Sequence, residues 1–291
     1  MRRLSVVDSR TGEGGELLLT LRSPALGREC GVTLLTPDGW TPSRKYPLLY
    51  FFHGSSDVRS SVVERTALRS LAAKSDVLVA LPDGGRMGFY TDWRVPDREG
   101  TVPKWETFHL GELLPLLEAE YGASDVRMAA GLSMGGYGAL RYTMRHPGLF
   151  HAAASLSGFT HLTRRGTAAL LGTLAVREGM RPGRIWGPRR YAAESWAAND
   201  PHLHAERFAG TEVYVAAGNG KRVPGEEFVA GMELVERFVR GMADDLVDTL
   251  RAAGAHVTTD LGPGIHFWTT FAREIDNLWP YVEKNLLSER P

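Results

Sequence analysis

The stretch Gly131-Leu132-Ser133-Met134-Gly135 sets one serine between two glycines, after the largely apolar run 125–130 and before "GGYGALRYTMRH". A serine in an ordinary loop has no need of such neighbours. At a very tight strand-to-helix turn it does, because the chain folds back so sharply that a Cβ two residues away collides with the facing backbone. The turn pushes the hydroxyl clear of the main chain, and the helix that follows brings free N–H groups and a positive dipole end to the same place. That combination suits a nucleophile attacking a carbonyl, with backbone donors waiting for the oxyanion.

A serine hydroxyl is a weak nucleophile until a base takes its proton, so one of the nine histidines must reach it. His266 is placed for this. It follows a strand-like run at 256–261 and a Gly-Pro-Gly loop, and a helical tail comes next. His256 reads as strand packing, and His146, before Pro147, as a helix end. His202 and His204 form an H-x-H pair beside one aspartate, too sparse a donor set for a metal. No metal and no cofactor are expected, and Cys30, the one cysteine, reads as packing within "RECGVTLL".

The acid that would orient the imidazole stays open. The strand "TEVYVAAGNG" is followed by Asn219 where a carboxylate is usual, and the next candidates are Glu226, Glu227, Glu233 and Glu236. Glu236, close to Arg237 and Arg240, fits a surface ion pair as well as it fits catalysis, so spacing does not choose. The oxyanion donors are expected to be the N–H of Met134 and that of Ser55, in the loop "FFHGSSD" at 51–57. His53 in the same loop either shapes it or contacts the substrate.

The elements that must position these residues are strands alternating with helices. Runs 46–54, 76–84, 125–133, 150–158 and 211–220 are short, apolar and end in glycine, serine or aspartate, as strands buried on both faces do. Helical spacing runs through 107–121 and through 228–250, while 22–40 reads as antiparallel edge strands. The pattern predicts an α/β fold, a mostly parallel sheet of about eight strands with helices on both faces. Residues 1–291 form one domain in this reading. Residues 159–200, rich in arginine, glycine and proline, are an insertion over the strands' carboxyl edge. Arginines 164–190 are expected to edge an entrance there or to form a solvated flap.

A net charge of zero gives no basic field for nucleic acid. No stretch approaches the roughly 18 apolar residues of a membrane span. The N-terminal stretch 1–16 has no apolar run of leader length, so a cytoplasmic location is expected for the chain as given, and a secreted one for a mature or truncated form.

Landmarks along nearly the whole chain carry a family likeness. They are "SPALGRE" (23–29), "PDGGRMGFYTDW" (82–93), "KWETFHLGELLPLLE" (104–118), "GLSMGGYGAL" (131–140), "WGP" (186–188), "NDP" (199–201), "VYVAAGNG" (213–220) and "GIHFW" (264–268). The sequence resembles the esterase D-like α/β-hydrolases, and among them the mycolyltransferases of the antigen-85 type. The resemblance implies the α/β-hydrolase fold, with Ser133 as nucleophile, His266 as base and Ser55 and Met134 as oxyanion donors. It also implies Glu236 rather than Glu233 as the acid, counting from the shared Asp248-Thr249-Leu250, and Trp268 as a substrate-lining residue. The stretch 168–176 matches the part of the family's insertion that borders its acyl channel, so a lipid-like or otherwise extended acyl group fits. Where the transferases carry a sugar-contacting acid and arginine around the oxyanion-loop glycine, this chain has His53 and Ser56.

The expected partner is therefore a small-molecule ester or thioester, with no nucleic acid and no integral membrane association. Water as acceptor makes the protein an esterase or thioesterase. An alcohol, sugar or amine makes it an acyltransferase, and a scaffold kept without its chemistry would be a binding protein. The replaced sugar-contacting pair favours the hydrolase.

Overall fold

Alanine- and β-branched-rich strands that are apolar on both faces are stable only in the middle of a sheet covered from both sides. The computed structural model, which describes residues 3–288, has that arrangement. The first two residues of the stretch read for a leader lie outside the described residues.

In chain order the elements are β1 (Ser5–Thr11), β2 (Leu17–Ser23), β3 (Arg28–Leu35), β4 (Tyr46–Phe52), α1 (Arg59–Arg65), α2 (Leu68–Ala73) and β5 (Leu78–Pro82). Then come α3 (Leu114–Glu120), β6 (Ala123–Leu132), α4 (Met134–Arg145), β7 (Ala152–Leu156), α5 (Thr167–Arg177) and α6 (Ala193–Ala198). β8 (Glu212–Ala216), α7 (Met232–Ala252), β9 (His256–Asp260) and α8 (Trp268–Leu287) complete the chain. Among the described residues nine strands form one sheet in the order β1-β2-β3-β5-β4-β6-β7-β8-β9. The pairs from β1 to β3 and β3·β5 are antiparallel, and all from β5 to β9 are parallel. This is the α/β-hydrolase arrangement, with one strand more than the eight expected. The extra strand is β1, whose seven residues are all exposed, so no apolar alternation marks it.

Side chains alternate across the central strands. On β4, Tyr50 and Phe52 face Phe108, Tyr137 and Tyr142 on one side, while Leu49 and Phe51 pack with Phe271, Ile275 and Leu278 of α8 on the other. Each such apolar side chain taken fully out of water contributes about 1.5–3 kcal/mol. The serine at the end of β6 therefore hangs from a strand locked between β4 and β7, with packing above and below.

Two helices differ from their apolar spacing. The run 107–121 divides into a wide π turn, Thr107–Leu113, and α3, with Pro115 in the first turn of α3. The helix read over 228–250 begins at Met232. Pro224, and Gly225 and Gly231 at positive φ, keep the preceding stretch irregular, and Phe228 is exposed there.

The segment 159–200, which carries α5 and α6, is tied to the rest of the chain at several points. Phe159 and Trp186 join the ring cluster of Phe89 and Tyr137, and Glu178 at the end of α5 binds Ser56 and Arg86. Three of its arginines are engaged by the chain itself. Arg189 donates to the carbonyls of Leu162 and Thr163, Arg184 to that of Pro96, and Arg164 pairs with Asp245.

The tight turn sets its own stability test. A Cβ at Gly135 would lie 2.1 Å from the Phe52 carbonyl oxygen, and one at Gly131 would lie 2.5 Å from the Gly135 carbonyl carbon. Gly172 in α5 would meet nothing nearer than 3.8 Å. Gly135→Ala is expected to cost about 1–3 kcal/mol or more in urea unfolding, whereas Gly172→Ala is expected to gain about 0.4–1 kcal/mol. Shifts of the same sign in both would remove the close-approach explanation.

Candidate active site

Ser133 occupies the junction of β6 and α4 at φ 55 and ψ −117, a backbone conformation that L side chains rarely adopt. Two hydrogen bonds hold it there. Its N–H donates to the Leu156 carbonyl at 2.8 Å, and its own carbonyl accepts from Tyr137 N–H at 3.2 Å, starting α4 immediately. Strain of this kind persists when the surroundings over-determine it, and α4 is buried from Met134 to Met144. The serine side chain is nearly buried, and its Oγ is 2.9 Å from His266 Nε2.

His266 lies in the loop between β9 and α8. Its amide donates to the Met232 carbonyl at 3.2 Å, and its ring meets the Phe271 ring edge-on at 5.1 Å between centroids. Gly264, at φ 131, is pinned by N–H donation to Lys221 O at 2.9 Å. Glu226 braces the same loop, since its Oε1 accepts from the Ile265 amide at 3.3 Å and from Thr270 Oγ1 at 2.8 Å.

The third member is Glu236, whose Oε2 is 2.6 Å from His266 Nδ1. It lies on the inward stripe of α7 with Val239, Met242, Ala243 and Leu246, and it is fully buried. A carboxylate in such a place is costly unless donors surround it. Here Gly218 N–H and Ser157 Oγ each donate to its Oε1 at 2.6 Å. The other open candidates are elsewhere. Glu233 faces outward and pairs with Arg222 at 3.1 Å, Glu227 is exposed, and Glu226 is the brace just described. With Glu236 accepting at Nδ1–H, the imidazole presents Nε2 as the acceptor for the serine proton.

Opposite the imidazole is the loop after β4. Ser56 N–H donates to Arg86 O at 2.9 Å, whereas among the described residues the Ser55 and Met134 amides donate to no group. Both expected oxyanion donors are therefore unengaged. The side chains of His53 and Ser56 are both engaged within the protein. His53 is buried, its Nδ1–H donates to Gly54 O and its Nε2 accepts from Gly84 N–H, both at 2.8 Å, so the ring shapes the loop and offers substrate no nitrogen. Burial also lowers its pKa, keeping it neutral. Ser56, at φ 65, gives its hydroxyl hydrogen to Glu178, whose other oxygen accepts from Arg86 Nε at 2.6 Å. Trp268 is half-buried at the start of α8, edge-on to Phe271, with the Arg65 guanidinium 5.4 Å from its ring centroid.

Three residues near this array carried no signal in the serine motif. Asp57 closes the oxyanion loop, and burial pushes its carboxyl up to about 6 against the pull of Arg65, His266 and Arg86. Ser157 follows β7 and touches Glu236, and Glu274 of α8 lies behind it. A sign of Glu274 was present in the sequence, because it interrupts the apolar stripe of Phe271, Ile275, Leu278 and Val282. Beside α5, Leu171, Ala175, Ile185, Trp186 and Trp196 line a small apolar cavity of about 40 Å³. Among the described residues no helix is long and apolar enough to cross a membrane.

Comparison with known proteins gives concordant results. The family model described as "Putative esterase" matches residues 23–280. Esterase Rv1288 of Mycobacterium tuberculosis is 32% identical over 224 residues, 74% of this chain and 48% of that protein. The chain thus spans about half the length of that relative. Diacylglycerol acyltransferase/mycolyltransferase Ag85B of Mycolicibacterium smegmatis is 30% identical over 96% of this chain and 87% of its own length. Among solved structures, Mycobacterium tuberculosis MPT51 superposes with a TM-score of 0.78 at 24% identity, covering 96% of this chain and 99% of that one. An S-formylglutathione hydrolase from Agrobacterium tumefaciens does so at 0.71 and 15% identity, covering 97% and 99%. These two likenesses show the shared fold.

The carboxylate geometry predicts a sharp contrast on an activated ester such as p-nitrophenyl acetate. Glu236→Gln is expected to lower kcat by about 10²–10⁴-fold, since the amide favours the wrong imidazole tautomer. Glu233→Gln is expected to stay within about twofold, as a surface pair does. Equal and small effects in the two variants would place the acid elsewhere.

Proposed function

This chain belongs to the esterase family, and from that premise we propose a serine hydrolase that works through an acyl-enzyme on an ester or thioester. The observation that carries the reading is the continuous array from Ser133 Oγ to His266 Nε2 at 2.9 Å and from His266 Nδ1 to Glu236 at 2.6 Å. In this reading Ser133 Oγ attacks the acyl carbonyl while His266 takes its proton, and Glu236 holds the resulting imidazolium. The carbonyl oxygen, now an anion, is received by the N–H groups of Ser55 and Met134. His266 returns the proton to the leaving alcohol or thiol. A water molecule then attacks the acyl-enzyme with the same imidazole as base, and Ser133 is restored.

Water as the acceptor is supported by the state of the oxyanion loop. The positions where the related transferases hold a sugar offer no free polar group, because His53 is turned into the loop and Ser56 is bound to Glu178. Transfer to an alcohol is the second reading. It rests on the apolar pocket between α5 and Trp186 and on the length of chain shared with the Mycolicibacterium smegmatis acyltransferase. Residues 159–200 serve as the cover in both readings, the whole of the chain acting as one domain, and an extended acyl group suits the pocket's lining.

A fluorophosphonate probe tests the chemistry directly. One adduct is expected, on Ser133, and Ser133→Ala should abolish it while lowering ester turnover by at least about 10⁴-fold. A folded protein that takes up no probe would instead be a binding protein on this scaffold. Esters and thioesters of increasing chain length, with and without sugar, alcohol or amine acceptors and read by mass spectrometry, then separate the two readings. Free acid as the product in every mixture is the expected result, and an acylated acceptor would establish transfer.

A further inference from the structure

A second glutamate is buried directly behind the first. Glu274 of α8 is completely inaccessible, and its two oxygens lie 3.0 and 3.2 Å from Ser157 Oγ. The same Ser157 oxygen is 2.6 Å from Glu236 Oε1. A serine hydroxyl has one hydrogen to give. Two ionised carboxylates at these distances would leave one of them facing a lone pair, away from bulk solvent.

The surroundings decide which carboxyl keeps the charge. Glu236 collects three donors, namely His266 Nδ1–H, Gly218 N–H and the Ser157 hydroxyl, and so is built as the anion. Among the described residues, Ser157 is the one hydrogen-bond partner of Glu274. The charged and titratable groups around Glu274 are Glu236 on α7, Asp260 ending β9, Arg273 on α8 itself and Tyr214 on β8. Burial comes first and Glu236 second in driving its carboxyl well above the ordinary range, and the Ser157 hydrogen bond and then Arg273 offset this in part.

We propose that Glu274 is a positioning residue, a protonated carboxyl that donates to Ser157 Oγ so that the Ser157 hydroxyl must donate onward to Glu236. The proton order is then Glu274 O–H to Ser157 O, Ser157 O–H to Glu236, and His266 Nδ1–H to Glu236 from the other side. This rests on the catalytic reading above. The backbone of Ser157 supports it, because that residue is held at φ 46, where glycine is the easy choice, with its N–H on Ala216 O at 2.8 Å. A strained serine in that place keeps a hydroxyl pointed between two carboxyls. Removal of the Glu274 proton would put a second negative charge beside Glu236 and free the hydroxyl to turn away. The effect would be felt as pH rises, since the protonated form is the one below its raised pKa.

The test combines spectroscopy with kinetics on the whole chain. At neutral pH the infrared difference spectrum between wild type and Glu274→Gln should contain the C=O stretch of one protonated carboxylic acid. Glu274→Gln, whose amide still donates, should keep kcat within about twofold and lose any alkaline decline attributable to Glu274. Glu274→Leu, which removes the donor, should lower kcat by about tenfold with KM unchanged, a difference of roughly 1.4 kcal/mol. Ser157→Ala should match it, and the double variant should add little. Thermal melts establish that each variant is folded. Absence of the infrared band, or a Glu274→Gln variant as impaired as Glu274→Leu, would overturn the inference. A wild type that shows the band yet neither binds fluorophosphonate nor cleaves esters would overturn the catalytic reading instead.

Discussion

The burial of Glu236 against His266 is the constraint on which the rest of the site depends. A carboxylate with no exposure, on the inner stripe of a 21-residue helix, is tolerable because every direction of approach supplies a donor. Those donors come from separate parts of the chain: Gly218 after β8, Ser157 after β7 and His266 after β9. Three adjacent parallel strands thus end on one carboxylate. The imidazole is fixed from below by that acceptor and from the side by Phe271, so its remaining nitrogen faces the serine without further help.

Ser133 is fixed by a different force. Its turn is held by steric necessity, since Gly131 and Gly135 let β6 and α4 pass within contact distance of each other and of the Phe52 carbonyl. The same compression leaves the Met134 amide pointing out of the first turn of α4. The loop after β4 runs alongside, and its internal bonds occupy His53 and Ser56 while leaving the Ser55 amide unused. Rigid packing and selective satisfaction of polar groups together define where an oxyanion can be held.

The loop also bears on acceptor choice. Glu178 reaches from the end of α5 to Ser56 and Arg86, so the insertion and the oxyanion loop are joined by charge-assisted hydrogen bonds rather than by a free polar surface. In the proposed reading, the His53 and Ser56 side chains, already paired within the protein, leave a sugar little to bind there.

The sequence by itself determined the central parallel strands, the strand–turn–helix around Ser133 and the histidine after the last strand, because these rest on local rules: apolar runs, glycine at a close approach, chain order. It determined less where a rule needs a distant partner. The edge strand β1 carries no apolar pattern because it buries nothing. The acid could not be chosen among Glu226, Glu227, Glu233 and Glu236 by spacing, and family likeness alone pointed to Glu236. Tertiary structure brings Glu236 to the imidazole, since which face of α7 turns inward depends on packing against the sheet. His53 was legible only as one of two alternatives, and the roles of Ser56, Ser157 and Glu274 were illegible. Each depends on which hydrogen-bond partner the fold brings to it from many residues away, and a buried polar group takes its function from that partner.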